Sequence, residues 1–560
     1  MKLPEIPVQS WEDVSALFEE LINRPLNSLA ELQTWLKERS ALDAFLQEDL
    51  GWRYIHHTCD TANAEKHQLL NFFIQEIEPH LAKFADLLNR KMLSNPFLPE
   101  ITETGFSVYL RNVQKEVELF REENIPLLTE IQTLSNEYGQ LSGAMTVEMD
   151  GKTVTFQQAA VELKSSDRSK RREVYIKINE RRLQSSDELN TLFDKLLKLR
   201  NQVSIKADCS NYRDYMFDAL GRFDYTPKHC FDFHESVAQH IVPIISSFEK
   251  ERKDLLGYVQ LMPWDLEVDP LLQSPLEPYK NSDELIEKTI EVFKRIRPDF
   301  GEVIRLMKEK GHLDLDSRIG KAPGGYNYPL YQSSLPFIFM NSAGTMRDMV
   351  TMMHEGGHAV HSWLSKDLNL TAYKSTPSEI AEVASMAMEL ISMEHWDVFF
   401  EDESTLRRAR KYQLEKILSI LPWIATVDAF QHWIYLHPEH SPEERKSEWI
   451  KLFRKFSGDV IDRSETASYE PFGWHRQLHI FEVPFYYIEY GIAQLASIGI
   501  WKNYKENPEK TLLQYEAALT AGYTFTLPEL YEMAGIRFDF SSDYIQELAA
   551  FVKNELDQLS

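Results

Sequence analysis

His354, Glu355 and His358 stand in the order His-Glu-Gly-Gly-His, an H-E-x-x-H. Residues four apart lie one above the other on a helix, so both imidazoles share a face and can chelate one zinc ion. The glutamate between them then reaches water held at the metal. The surrounding stretch, Thr345 to Leu364, reads as that helix. Thr345 and Asp348 form an N-terminal cap, and Met346, Met349, Val350 and Met353 recur at helical spacing. Gly356 and Gly357 each cost about 1 kcal/mol relative to alanine in a helix interior. They therefore imply close approach by another backbone or by a substrate. The competing reading is an exposed or half-buried helix with satisfied histidines.

A catalytic zinc usually takes three protein ligands. The position of a third histidine in the extended H-E-x-x-H-x-x-G-x-x-H pattern is Leu364, so that pattern fails. His361 shares the face, but a straight helix cannot close three successive turns on one ion, which makes it a supporting or packing residue. Downstream, Thr376, Pro377 and Glu379 match a capping box, giving Glu379 a structural explanation. Glu382 has none. It lies among alanines, Val383 and Met386, and a buried carboxylate needs a partner or a metal. Glu382 is the favoured third ligand over Glu379, and Glu389, seven residues on, can accept a hydrogen bond from a metal-bound imidazole. Further on, Phe472 to Tyr490 carries His475, His479, Tyr486, Tyr487 and Tyr490. Aromatics at helical spacing are ordinarily core. A hydrolase that develops an oxyanion nevertheless needs such donors, and a helix from Pro484 would put Tyr486 and Tyr490 on one face.

The elements that must carry these residues are mostly helices. The chain of 560 residues is 43% hydrophobic with only 21 glycines, and its amphipathic stretches are long, which favours an α-rich fold with a large core. Helical patterns cover Ser10–Leu21, 29–93, Tyr109–Leu141 with a break at Pro126, Ser166–Val203, Asp208–Ala219, Pro227–Leu256 and Ser282–Glu309. Thr146–Met149 and Lys152–Thr155 alternate around Asp150-Gly151 as a hairpin. Pro336–Asn341 reads as a strand running towards the H-E-x-x-H helix. It is either a docking edge for an extended peptide or an ordinary core strand. A soft division falls near residue 200, giving an N-terminal helical lobe (1–200) and a catalytic domain (201–560).

The net charge of −26 repels phosphate backbones and anionic membranes, which argues against nucleic-acid or membrane partners. Cys59, Cys209 and Cys230 are scattered, odd in number and without metal spacing, as expected of a protein from a reducing cytoplasm. The N-terminal residues lack a signal-peptide core, and no apolar run approaches a membrane span.

HEGGHAVH, the AEVASMAMEL stretch and HIFEVPFYYIEYGIAQL together resemble the M3 zinc metallopeptidases, in particular the oligoendopeptidase F branch and more distantly thimet oligopeptidase. Pro263-Trp264-Asp265, PFIFMN and NSAGTMRD resemble the same branch. The resemblance runs from about residue 200 to the C-terminus and extends more weakly through the DGKTVTF hairpin. It implies a mainly α fold in which two helical lobes enclose a deep substrate channel, with a small β element next to the H-E-x-x-H helix. It further implies one zinc ion per chain, held by His354, His358 and Glu382, with Glu355 as catalytic base and short peptides as substrates. His479 and Tyr490 match the family's oxyanion donors; Tyr486, then Tyr487, are the next candidates. The expected activity is zinc-dependent hydrolysis of internal peptide bonds. Two rivals stay open: a zinc carboxypeptidase or dipeptidase anchoring a terminus through Arg318, Lys321 or Arg347, and a non-catalytic peptide-binding protein.

Overall fold

The computed structural model describes Leu3, Pro4 and residues 6–559. The chain is mainly α-helical, as its composition and periodicity indicated, with five short strands among the described residues. It divides into two compact units, each assembled from three segments. One comprises Met1–Phe120, Leu276–Arg410 and Ile492–Phe538, and the other Arg121–Pro275, Lys411–Gly491 and Asp539–Ser560. Residue 200 lies within the helix Ser186–Lys206, where the fully buried Arg200 guanidinium donates to Tyr435 and to the carbonyls of Ile480 and Phe481.

Several long helical patterns prove to be interrupted. Ser166–Val203 is two helices, Arg168–Gln184 and Ser186–Lys206, meeting at Ser185. Ser282–Glu309 is likewise divided into Ser282–Ile296 and Pro298–Lys310 by an extended Arg297. The cause is local: a proline disfavours helical geometry in the residue before it. In the N-terminal stretch, the helix Leu29–Cys59 stops before Asn63, whose side chain caps the next helix, Ala64–Phe72.

The hairpin forms as read. β1 (Thr146–Met149) pairs antiparallel with β2 (Lys152–Thr155), and Asp150 and Gly151 both take positive φ, the primed turn that two-residue hairpins favour. The second sheet is β3 (Leu313–Asp316), β4 (Tyr326–Tyr328) and β5 (Phe337–Ser342) in the order β3-β5-β4. β5 is therefore the central strand, parallel to β3 and antiparallel to β4. Its backbone groups are taken on both sides, so the core-strand alternative holds for Pro336–Asn341 and the peptide-docking one does not. The edges of the sheet are β3 and β4, and the Asn327 side chain on β4 donates to the Glu355 carbonyl at 3.4 Å.

The H-E-x-x-H helix spans Met346–Leu364 and begins at a full capping box between Thr345 and Asp348. Its partner is the helix Ser378–Ser392, which starts after Pro377 with no side-chain cap. The capping box expected at Thr376 is thus absent; Glu379 is instead buried in the first turn of this helix.

The glycine pair is explained by contact between protein groups. A Cβ on Gly356 would lie 2.5 Å from Cζ of Phe293, and one on Gly357 would lie 2.6 Å from the Ala384 carbonyl oxygen and 2.7 Å from Ser385 Cα. The two helices approach backbone to backbone at Gly357, closer than any side chain permits. Gly357→Ala is therefore expected to destabilise the chain by about 1–3 kcal/mol through overpacking. An ordinary helical site would gain about 1 kcal/mol from the same change. Chemical denaturation distinguishes the two signs, and a stabilised variant would contradict this packing.

Candidate metal and catalytic site

The helix crossing at Gly357 sets His354 and His358 against Glu382. Oε2 of Glu382 lies 3.3 Å from Nε2 of His354 and 3.7 Å from Nε2 of His358. The two imidazole rings stand nearly perpendicular, 4.9 Å apart. Ligand atoms around a tetrahedral zinc ion are about 3.3–3.6 Å apart, so these three donors fit such an ion with little movement.

Neighbouring groups hold the donors in place. His354 donates from Nδ1 to Oε1 of Glu389 at 2.7 Å, which turns the Nε2 lone pair towards Glu382. Ser385 Oγ, one turn beyond Glu382, donates to its Oε2 at 3.1 Å. The imidazole-to-carboxylate hydrogen bond anticipated at Glu389 is thus present. Ser385 did not stand out in the sequence, although its i+3 spacing from Glu382 was a usable signal. His361 is buried beside the set without joining it, and burial with the His358 charge pushes its pKa down to about 3.

The electrostatics favour a cation. Burial raises the Glu355 carboxyl to about 7, and Glu382 adds to the rise while the His354 charge opposes it. Burial opposes ionisation of Glu382 too, but hydrogen bonding from His354 and the two imidazoles bring it down to about 2. Burial alone would lower His354; its bonds to Glu382 and Glu389 outweigh that and hold it well above the ordinary histidine value. His358 is lowered by burial to about 4, so it stays neutral with a lone pair to offer. Two buried carboxyl groups, Glu355 and Glu382, and the partly exposed Glu389 stand beside one imidazole drawn towards protonation, an excess of acidic groups that a divalent cation offsets.

The residues expected at the oxyanion form a separate cluster in the second unit. The helix expected to start at Pro484 begins only at Ile488 and runs to Glu506. Phe485 takes a left-handed conformation (φ 67°) in the intervening turn, a sparsely populated region for a bulky residue. Its N–H donates to Gln431 Oε1 at 2.8 Å and its carbonyl accepts from Arg222, which also pairs with Glu489. This turn gathers Tyr486, Tyr487 and Tyr490 around His479, with ring centroids 6.1, 4.7 and 6.0 Å from the imidazole.

A short relay determines the His479 tautomer. The Trp423 indole, a donor only, donates to Gln477 Oε1 at 2.9 Å, which orients the amide. Gln477 Nε2 consequently donates to Nδ1 of His479 at 2.6 Å. Burial lowers the imidazole to about 4, so it is neutral and carries its proton on Nε2. Neither Trp423 nor Gln477 announced itself by spacing or motif. His475 is buried, pushed by burial to about 3, with Nε2 3.4 Å from Asn190 Oδ1; it belongs to the core.

Removing the acceptor on His354 tests this geometry. Glu389→Ala is expected to weaken metal binding about 10–100-fold with the fold intact. Competition against a chromophoric chelator measures this, with circular dichroism as the control.

Residues 161–550 match the profile of Peptidase family M3, and residues 5–120 match that of the Peptidase M3 N-terminal domain. An oligoendopeptidase F homolog of Lactococcus lactis subsp. lactis is 24% identical over 374 residues, which is 64% of this chain and 58% of that protein. Oligopeptidase PepF of Bacillus subtilis is 26% identical over 273 residues, 46% of this chain and 40% of the relative. The matched regions thus span less than two thirds of these relatives' own length. The solved structure of Pz peptidase A with inhibitor 2 superposes with a TM-score of 0.92 at 26% identity, covering 100% of this chain and 98% of that one. With the profile matching well over half of the residues, the chain belongs to peptidase family M3.

Proposed function

We propose that this chain is a zinc-dependent oligoendopeptidase that hydrolyses internal bonds of short peptides, with one zinc ion held by His354, His358 and Glu382. The observation that carries the reading is the convergence of these three donors, within 4.8 Å of one another, beside the buried Glu355. The names oligoendopeptidase F and oligopeptidase, attached to the relatives, support the substrate class. When bound at such a site, zinc acidifies water and polarises a carbonyl group.

Glu355 takes a proton from the attacking water and delivers it to the leaving amine nitrogen, a role that suits a carboxyl raised to about 7. His479, neutral with its proton on Nε2, and Tyr490 donate hydrogen bonds to the oxyanion, with Tyr486 as the next candidate. Tyr487, whose phenol engages Gln477 and Trp423, is the third candidate. The edge strand β4, whose Asn327 side chain bonds the Glu355 carbonyl, is the place for an extended peptide to add a strand.

Two of the three cations considered as exopeptidase anchors are already committed. Arg318 forms two bonds to the Asp314 carboxylate, at 2.6 and 2.7 Å. Lys321 is buried against the same carboxylate and against the carbonyls of Asp314, Asp316 and Met340. That favours cleavage within the chain over capture of a terminus.

Peptides blocked at both ends should be cleaved, and a chelator should abolish the cleavage; hydrolysis confined to unblocked peptides would establish the exopeptidase reading instead. Glu355→Gln is expected to keep its metal and lose about 10²–10⁴-fold in turnover. Residual turnover near that of the parent, in a metal-replete sample, would remove Glu355 from its role. Gln477→Ala should lower kcat more than it changes KM, because it releases the His479 tautomer without touching substrate. Tyr490→Phe should cost more in kcat than Tyr487→Phe, and the reverse order would move the donor assignment.

A further inference from the structure

A second set of metal-ligating side chains lies wholly within the other unit. Cys230 and His234 are four residues apart on the helix Pro227–Ser236, and Asp428 and His432 are four apart on the helix Glu403–Leu436. Each spacing puts both side chains on one helical face. The two faces meet, and Cys230, Asp428 and His432 each offer one donor atom within 4.8 Å of the others. All three are at most 2% exposed.

The cluster's polar atoms are incompletely satisfied. Asp428 Oδ1 and both ring nitrogens of His432 have no hydrogen-bond partner among the described residues. Nε2 of His432 stands 3.3 Å from Asp428 Oδ2 but without hydrogen-bond alignment. The other contact on Oδ2 comes from His234, which donates from Nε2 at 2.8 Å. Orphaned buried polar atoms each cost about 1–3 kcal/mol, so three together call for an occupant. Aromatic rings lie against the cluster, and the Arg213 charge acts on His432. Phe231 and Phe485 lie 4.8 and 5.4 Å from the His432 ring, centroid to centroid, and Phe456 lies 6.3 Å from His234.

We infer that Cys230, Asp428 and His432 hold a second, structural divalent metal ion of the zinc class, with His234 fixing the Asp428 carboxylate from outside. The donor set is the reason for the class. A thiolate, an imidazole and one carboxylate select zinc over calcium or magnesium, which take oxygen ligands. The charges are the second reason. On binding, the Cys230 thiol gives up its proton to solvent, and thiolate, carboxylate and a divalent ion then sum to zero. A neutral complex suits a buried, aromatic surrounding, where an unbalanced charge does not. The ion would pin Pro227–Ser236 to the C-terminal third of the long helix. This inference is independent of the peptidase reading.

The thiolate provides a signature that the His354 site cannot produce. Full-length metal-free protein is titrated with cobalt(II) and desalted, with cobalt counted by mass spectrometry and the near-ultraviolet spectrum recorded. A second tightly held equivalent is expected, together with a thiolate-to-cobalt charge-transfer band. The band should persist, at a single equivalent, in the His354→Ala/His358→Ala double variant, and should vanish in Cys230→Ser while the other equivalent remains. Absence of the band from the unmutated chain overturns the inference, as do a double variant that binds no cobalt and a band that survives Cys230→Ser. A water molecule alone would satisfy the orphaned atoms without producing any of these signals. Should Cys230→Ser fail to fold, the unmutated chain and the double variant decide the matter by themselves.

Discussion

The backbone of Ala384 and Ser385 lies against Gly357, and the arrangement of the site follows from that contact. A single added methyl group would come within 2.6 Å of a carbonyl oxygen. With the helices this close, Glu382 reaches both imidazoles from one side and Glu389 holds Nδ1 of His354 from the other. Phe293 fills the space beside Gly356, and Tyr515 donates to the Ala384 carbonyl at 2.6 Å, tying down the same turn. A larger residue at 357 would separate the helices and open the triangle of donors.

Electrostatics then define what this geometry is for. Glu355, Glu382 and Glu389 are grouped in one poorly solvated place, with His354 the one imidazole drawn towards protonation. Such a grouping is costly without a cation and becomes favourable with one. Two imidazoles and one carboxylate around a divalent ion leave a net positive charge, the condition for acidifying water. The Cys230, Asp428 and His432 set sums to zero with the same ion and lies against the rings of Phe231 and Phe485. The two clusters share i,i+4 spacing on crossing helices and differ in charge. One balance suits chemistry and the other suits cohesion.

The His479 cluster shows how much of a donor's character resides in its neighbours. Its protonated nitrogen is determined two residues away in sequence and again at Trp423, through an amide oriented by an indole. The tyrosines beside it are presented by a left-handed Phe485, held by Gln431 and Arg222. These supports lie outside the group of His479 and its three tyrosines, yet each restricts where a phenol or imidazole proton can point.

By itself the sequence determined the helical class, the Thr345 cap, the hairpin at Asp150-Gly151 and the candidacy of Glu382, because each depends on neighbours within a few residues. The same local logic failed at Ser185 and Arg297, where helix ends had to be distinguished inside continuous amphipathic patterns, and at Thr376, where the helix starts one residue later. It also could not choose between core and docking roles for Pro336–Asn341, since that depends on which strands flank β5. Only the tertiary structure decided what approaches Gly357, which nitrogen of His479 carries the proton, and that Cys230 meets Asp428 and His432. Each of those is a contact between segments remote in sequence, and spacing along one chain carries no information about the distance across a helix crossing.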